Sequence, residues 1–315
     1  MKKIILLIVI GCCALVIKAQ ENIKYYDIEW KECAAGEACY ISIVKPAKGL
    51  WERTDYFNGT RYVQMHGYYL DSGCQVQHGD FTWWYPNRNI SRKGEYSFGK
   101  KKGIWLGFHY NGVPSDSAWY ENGQWQGQLL RWHSNAIMKD SIEKKDDGTE
   151  VMVSWFDNGN PSSAGILLNG KPHKTWQFFH INGNMAATET YDNGNLVSKR
   201  YYSETGELQS ETTDTDREAL FGQAPGDWKK YIEKNVYFPS QYTINDGNKV
   251  VVSVSGTVNE NGEVEDVYVN VPVHPEFDRI LLNTIKKSRK WKPAISHNRR
   301  VKHYFYQPLS FVMED

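Results

Sequence analysis

The stretch WFDNGNPSSAGILLNGKPHKTWQFFHINGNMAATETYDNGN, residues 155–195, decides the fold because it holds four Asn-Gly pairs at nearly even spacing. The pairs begin at Asn158, Asn169, Asn182 and Asn193, at steps of 11, 13 and 11 residues. Asn-Gly favours tight hairpin turns because both residues tolerate positive φ. The intervals leave room for one short strand between successive turns. The stretch therefore predicts consecutive β-hairpins.

The same unit recurs on both sides of this stretch, with a period of 23 or 24 residues. Each period holds two turns and two strands, and Gly206 fits as a degenerate further member. Self-similarity at such a period indicates a repeat array, here over residues 50–207. One row of turns contains Asn87, Asn111, Asn135, Asn158 and Asn182, and the second contains Gly99, Gly123, Gly148, Gly170 and Gly194.

Aromatic and apolar residues form columns between the turns, and we expect them to stack along the sheet as structural contacts. The columns are Trp84, Phe108, Trp132, Trp155 and Phe179 three residues before each Asn, and Phe81, Trp105, Leu129, Met152 and Trp176 six residues before.

Three histidines, His109, His133 and His180, share another column, two residues before Asn. Equivalent residues in successive hairpins lie about 9–10 Å apart, because they are two strands apart. Zinc ligands must instead converge to about 2 Å from one metal. We therefore expect no shared metal site.

The units GIWLGFHYNG (103–112) and KTWQFFHING (174–183) resemble MORN-type repeats in their looser bacterial form. The resemblance covers about residues 50–207 and implies successive β-hairpins. Such arrays generally serve as scaffolds or protein-contact surfaces, so the resemblance says little about activity.

The periodicity changes after a polar segment, residues 208–225, which reads as a linker. Helical spacing follows from Trp228 to Val236, and then two alternating strands flank Asn261-Gly262. Pro275 opens a second helix, and a final strand ends the chain. Residues 226–315 are thus predicted as a two-layer α+β domain in the order α-β-β-α-β.

Four segments of this domain, YFP, SGTVNENGEVEDVYV, FDRILLNTIKKSRKWKPA and YQPLSF, resemble the C-terminal domain of TonB-family proteins. The resemblance implies a periplasmic domain that binds a receptor peptide by adding a strand to its sheet. The position of Gly256 inside a strand departs from the family pattern and suggests a bulge or a close backbone approach. The signature positions are Pro239, Asn261, Gly262, Trp291 and Pro293, and the implied binding strand contains His303, Tyr304, Phe305, Tyr306, Pro308 and Phe311.

The N-terminus predicts export, because two lysines precede an apolar run that is too short to span a bilayer. Residues 1–19 match a signal peptide cleaved before Gln20. The alternative is a lipoprotein lipidated at Cys12. Residues 20–49 form an N-terminal segment in which CAAGEAC allows a disulfide between Cys33 and Cys39, since exported proteins can form them.

The charge balance of the chain disfavours nucleic acid as a partner. Lys plus Arg equals Asp plus Glu at 37 each, whereas nucleic-acid binding normally needs a basic excess. Locally, Lys286 to Lys302 contains eight basic residues and no acid. This run predicts either a patch for an anionic envelope component or a solvated helix end.

No nucleophile elbow, phosphate-binding glycine loop or metal-binding helix motif occurs, so we expect neither an enzyme nor a cofactor. The sequence favours an exported, non-catalytic protein-binding protein of a Gram-negative cell envelope, located in the periplasm or at the outer membrane. One alternative is a component of TonB-dependent transport. The other is an enzyme or glycan-binding protein that uses exposed aromatic residues.

Overall fold

The computed structural model describes residues 22–210, 216–239 and 249–312. The predicted signal peptide and Cys12 lie outside these residues. Among the described residues, no helix is long and apolar enough to span a bilayer.

The described part of residues 22–201 forms one antiparallel sheet of 15 strands, and each strand pairs with its neighbours in sequence. The predicted hairpin array is thus confirmed as mainly β, and it includes the N-terminal segment as well. The strands are β1 (Asn22–Tyr26), β2 (Tyr40–Ala47), β3 (Leu50–Phe57), β4 (Val63–Tyr69), β5 (Gly79–Trp84), β6 (Ile90–Ser97), β7 (Lys100–Phe108), β8 (Pro114–Glu121), β9 (Gln124–Trp132), β10 (Met138–Lys144), β11 (Thr149–Trp155), β12 (Pro161–Leu168), β13 (Lys171–Phe179), β14 (Met185–Asp192) and β15 (Asn195–Tyr201).

The two rows of turns have different geometries, except at Gly148, where the backbone hydrogen bonds match those of the first row. In the second row, Asn122 and Gly123 both have positive φ, 51° and 86°, and the turn joins Glu121 to Gln124 as a two-residue loop. In the first row, which we call the Asn row, only the residue after Asn is left-handed. This residue is Gly112, Gly159 or Gly183 in three turns and Arg88 or Ala136 in the other two. The expectation that Asn also adopts positive φ was therefore wrong for the Asn row.

Side-chain hydrogen bonds explain why asparagine is nevertheless required in the Asn row. The Asn111 Oδ1 accepts from the backbone N–H of Val113, which closes the turn locally. Its Nδ2 donates to the carbonyl of Ser134 in the next repeat, at 2.8 Å. The same pair of bonds recurs at Asn87, Asn135, Asn158 and Asn182.

The histidine column makes the same kind of link between repeats. The Nε2 atoms of His109, His133 and His180 lie 2.8, 2.9 and 3.0 Å from the carbonyl oxygens of Trp132, Trp155 and Tyr202, respectively. A carbonyl only accepts, so Nε2 carries the hydrogen in each ring.

Large rings of the aromatic columns lie over glycines of the preceding strand. Phe81, Trp105 and Trp176 are almost fully buried. A Cβ added to Gly67, Gly94 or Gly165 would lie less than 3.0 Å from the respective ring. The expected stacking of Phe81 and Trp105 is indirect, because Tyr96 lies between them. The ring centroid of Tyr96 is 5.0 Å from that of Phe81 and 4.8 Å from that of Trp105.

The C-terminal part has the predicted order of long elements, with one addition. Its three-stranded antiparallel sheet has the order β17-β16-β20, and β18 and β19 form an extra small hairpin. The buried core between this sheet and the helices includes Val252, Val254, Phe277, Leu281 and Ile285. The elements are α1 (Asp227–Asn235), β16 (Lys249–Val258), β17 (Val264–Val271), α2 (Pro275–Lys286), β18 (Ala294–Ser296), β19 (Arg299–Val301) and β20 (His303–Val312).

The end of the predicted linker belongs to this C-terminal domain. Arg217 and Leu220 form backbone bridges to the chain around β18. Phe221 is 3% exposed and contacts the rings of Trp228 and Trp291. Leu220 and Phe221 are adjacent in an otherwise mostly polar segment and give no periodic signal, so the sequence predicted a linker there.

The proposed disulfide between Cys33 and Cys39 is not formed. The loop that carries them is closed by backbone hydrogen bonds instead. The Cys33 N–H donates to Tyr25 O and the Cys39 N–H donates to Tyr26 O, at 3.0 and 2.8 Å.

Candidate binding site

The C-terminal sheet has its second face against the Asn row of the array. Tyr268 of β17 stacks on Tyr110 at a centroid distance of 4.5 Å. Farther along, Val271 joins an apolar cluster with Tyr40 and Phe57. The regions left open beside this junction include the outer edge of β20 and a cleft between the domains.

Arg299 is the central contact between the domains. Its guanidinium donates to the carbonyl and hydroxyl of Ser162 and lies 5.5 and 5.3 Å from the ring centroids of Phe156 and Phe178. Burial lowers the pKa of Arg299 to about 10, so the group stays charged at neutral pH. A guanidinium suits this position because it stacks on rings while it donates in its own plane.

Two other basic residues at the end of the run, Lys302 and Arg300, also pair with acidic residues of this chain. Lys302 binds the carboxylates of Asp157 and Glu265. Burial opposes its charge, but the two carboxylates outweigh that effect and raise the pKa of Lys302. Arg300 pairs with Glu204 at 3.1 Å. Both interpretations made from the sequence were incomplete, because neither anticipated that the end of the run, Arg299 to Lys302, contacts the array.

The strand β20 lies at one end of its sheet, and within the described residues only β16 pairs with it. Pro308 has no amide hydrogen, so it occupies a position whose N–H would point away from β16. Backbone groups of an antiparallel strand alternate in direction. Tyr304 and Tyr306 are in phase with Pro308, and their N–H and C=O groups therefore face the unpaired side.

Side chains of β20 divide into two sets. Tyr304 and Tyr306 are 60% and 50% exposed. Phe305 stacks on Trp291 and Phe311 packs on Phe277, so these two predicted binding residues have core side chains. His303 is half-buried beside Val258, and Pro308 is exposed.

Asn261, Gly262 and Trp291 lie together at the turn between β16 and β17, whereas Pro239 follows Phe238, which packs on Phe277 and Phe311. Trp291 donates its backbone N–H to Gly262 O at 2.8 Å, and a Cβ on Gly262 would collide with the Trp291 carbonyl. Asn261 precedes this glycine in the turn, Pro239 is buried and Pro293 is half-buried. Their positions indicate a structural role.

The cleft between the domains, which we call the interdomain cleft, has a volume of about 410 Å³. Sequence reasoning did not find it, because its two walls are more than 100 residues apart in the chain. Its lining includes Tyr85, Tyr110, Trp132, His109, His133, Lys139, Asp266, Tyr268, Lys302 and Tyr304.

The polar groups of the interdomain cleft are held in place by both domains. Ser134 donates its hydroxyl to Asp266 across the junction, at 2.8 Å. Burial lowers the pKa of His133, and nearby Lys302 and Lys139 act in the same direction. Burial, together with a hydrogen bond to Tyr304, raises the pKa of Tyr268.

The chain matches no protein-family model and no curated protein. Within the described residues, no group of three or more His, Cys, Asp or Glu side chains could hold a metal ion. The edge of β20 and the interdomain cleft are thus defined by geometry alone.

Proposed function

We propose that this protein is an exported, non-catalytic binding protein of the cell envelope that captures an extended peptide segment on the edge of β20. The observation that carries the proposal is the unpaired edge, which presents the backbone groups of Tyr304 and Tyr306 beside exposed side chains. In strand addition, backbone hydrogen bonds supply affinity and flanking side-chain pockets supply selectivity.

The other edge of the sheet is less suited to pairing. The register of β16 and β17 shifts between Ser255 and Thr257, opposite Asp266, which has a φ of 51°. Bulges of this kind interrupt an edge and hinder the addition of a strand. Tyr268 of the same strand is already packed against the array.

The resemblance of residues 226–315 to TonB-family C-terminal domains supports the same mode of binding. It also supports a periplasmic or outer-membrane location and a receptor or other envelope protein as partner. The array of hairpins, similar to MORN-type repeats, would then be the scaffold on which the domain is fixed.

A pair of variants at one position separates backbone from side-chain recognition. Tyr306→Pro removes an N–H that faces the open edge, whereas Tyr306→Ala removes only the ring. We expect partner capture from envelope extract to be lost with Tyr306→Pro and kept, although weaker, with Tyr306→Ala. Circular dichroism and thermal melting must show that both variants are folded.

Hydrogen exchange on the full chain tests the register directly. When a captured partner is bound, the amides of Tyr304 and Tyr306 should gain protection. The amide of Phe305 should change little, because it already bonds to β16. Equal capture by the two Tyr306 variants, or protection elsewhere alone, would rule out strand addition at β20.

A further inference from the structure

The interdomain cleft is a second candidate site, and only Tyr304 is shared with the edge of β20. Its volume of about 410 Å³ falls in the range of about 300–1,000 Å³ that is typical of ligand pockets. Its position between two domains is also one where small molecules commonly bind.

The carboxylate of Asp266 lines this cleft, and its backbone has an unfavourable conformation. Asp266 has a φ of 51° within β17, opposite Gly256 at the register shift. A left-handed conformation is unfavourable for a non-glycine residue, and residues in strained conformations cluster at functional sites. The Ser134 hydroxyl donates one hydrogen bond to Asp266 Oδ2, and the carboxylate can accept further hydrogen bonds.

Two imidazoles add acceptors beside it. His109 and His133 use Nε2 to donate to backbone carbonyls, so Nδ1 is the ring atom that remains for a ligand. Burial lowers the pKa of His133, so the ring is neutral at neutral pH and its Nδ1 accepts. Lys139, which is exposed at the cleft, supplies a donor.

Aromatic side chains form the apolar part of the lining. The lining contains Tyr85 and Tyr110 from the array and Tyr268 and Tyr304 from the C-terminal sheet. Trp132 comes from the repeat after Tyr110. The charge of Lys302 is balanced by Asp157 and Glu265, so the cleft does not select for an anion. A suitable ligand has several O–H donors arranged around an apolar ring face.

From this combination we propose that the interdomain cleft binds saccharide, with room for one or two sugar rings. Sugars present hydroxyl groups at their rim and C–H groups on their faces. The rim would bond to Asp266, His109 and His133, and the faces would lie on the tyrosine and tryptophan rings.

The chain provides a matched control for the test. His133 and His180 occupy the same column and make the same Nε2 bond to the next repeat, but only His133 lines the interdomain cleft. His133→Gln and His180→Gln therefore remove the same scaffold contact. Asp266→Gly removes the carboxylate and relieves the positive φ, so this variant should fold.

Calorimetric titration of the full chain with maltose, chitobiose and glucuronic acid is the experiment. We expect one of the two neutral disaccharides to bind and quench tryptophan fluorescence. His133→Gln and Asp266→Gly should each weaken binding by about tenfold or more, and His180→Gln should not. Tyr306→Pro should leave sugar binding unchanged, so failure of strand addition and failure of this site are distinguishable.

Three outcomes would overturn the saccharide site. The first is no binding of any of these sugars at millimolar concentration. The second is preference for glucuronic acid, because the cleft would then select an anion. The third is equal binding by the His133→Gln and His180→Gln variants, which would place any bound sugar elsewhere.

Discussion

At the scale of residues, size matching between neighbouring strands shapes the array. Gly94 lies under Trp105 and Gly165 lies under Trp176, where a Cβ would collide with the indole. In the repeat that follows Trp105, Ala118 lies opposite the smaller Leu129. Tight packing explains the pattern, since a larger ring needs a smaller partner at fixed strand spacing.

This matching predicts the effect of adding one methyl group. Gly94→Ala should destabilise the protein by about 1–3 kcal/mol, because overpacking forces the indole or the strand to move. The double variant Gly94→Ala with Trp105→Leu copies the natural pair Ala118–Leu129, and we expect it to be more stable than the sum of its single changes. Urea denaturation of all three variants measures this coupling, and strict additivity would contradict it.

Many of these contacts between residues could be predicted from the sequence, and some could not. The aromatic columns were predicted from their period, and Trp105 and Trp176 are indeed buried. The glycines under the rings were missed because glycine is so common in the turns of this chain. Their signal was available, since Gly94 and Gly165 fall at the same place in the repeat, away from any turn.

At the scale of elements, the two rows of turns use asparagine for different reasons. In the second row, Asn122 is chosen for its backbone, because asparagine tolerates positive φ. In the Asn row, Asn111 is chosen for its side chain, which links one hairpin to the next. The sequence predicted both turns from the same dipeptide and could not separate these roles.

Aspartate distinguishes the two roles. Asn111→Asp keeps the oxygen that accepts from Val113 but loses the donor to Ser134 O, so we expect a loss of about 1–2 kcal/mol. Asn122→Asp should change stability by less than about 0.5 kcal/mol, because aspartate suits the same turn. Thermal melts of the two variants compare them, and equal losses would show that the link between repeats contributes nothing.

At the scale of the whole molecule, the docking of the two domains is what the sequence least revealed. Arg299 and its acceptor Ser162 are 137 residues apart, and Lys302 and Asp157 are 145 apart. A basic run without neighbouring acids reads as solvated, and the array residues that bind Arg299 and Lys302 are too far away in sequence to change that reading. Element order within each domain was predictable from local periodicity, whereas contacts between them depend on distant residues.

Two adjacent arginines test how the domains are joined. Arg299→Ala removes a buried guanidinium between two phenylalanine rings and should lower stability by about 2–4 kcal/mol. Arg300→Ala removes an exposed ion pair with Glu204 and should cost about 1 kcal/mol or less. Limited proteolysis between the domains should accelerate only for Arg299→Ala, and similar behaviour of both variants would contradict a central role for Arg299.

The contact between the two domains also limits how the number of repeats can change during evolution. Hairpin arrays usually gain or lose whole units, because each unit contacts only its neighbours. Here the C-terminal domain contacts the turn at Gly59 and the turn at Glu204, and between them it contacts the turns at Ser134 and Asp157. Loss of one unit would move the partners of Arg299 and Tyr268 closer together by two strand spacings, about 9–10 Å. A descendant of this chain must therefore keep the number of hairpins between these contacts constant.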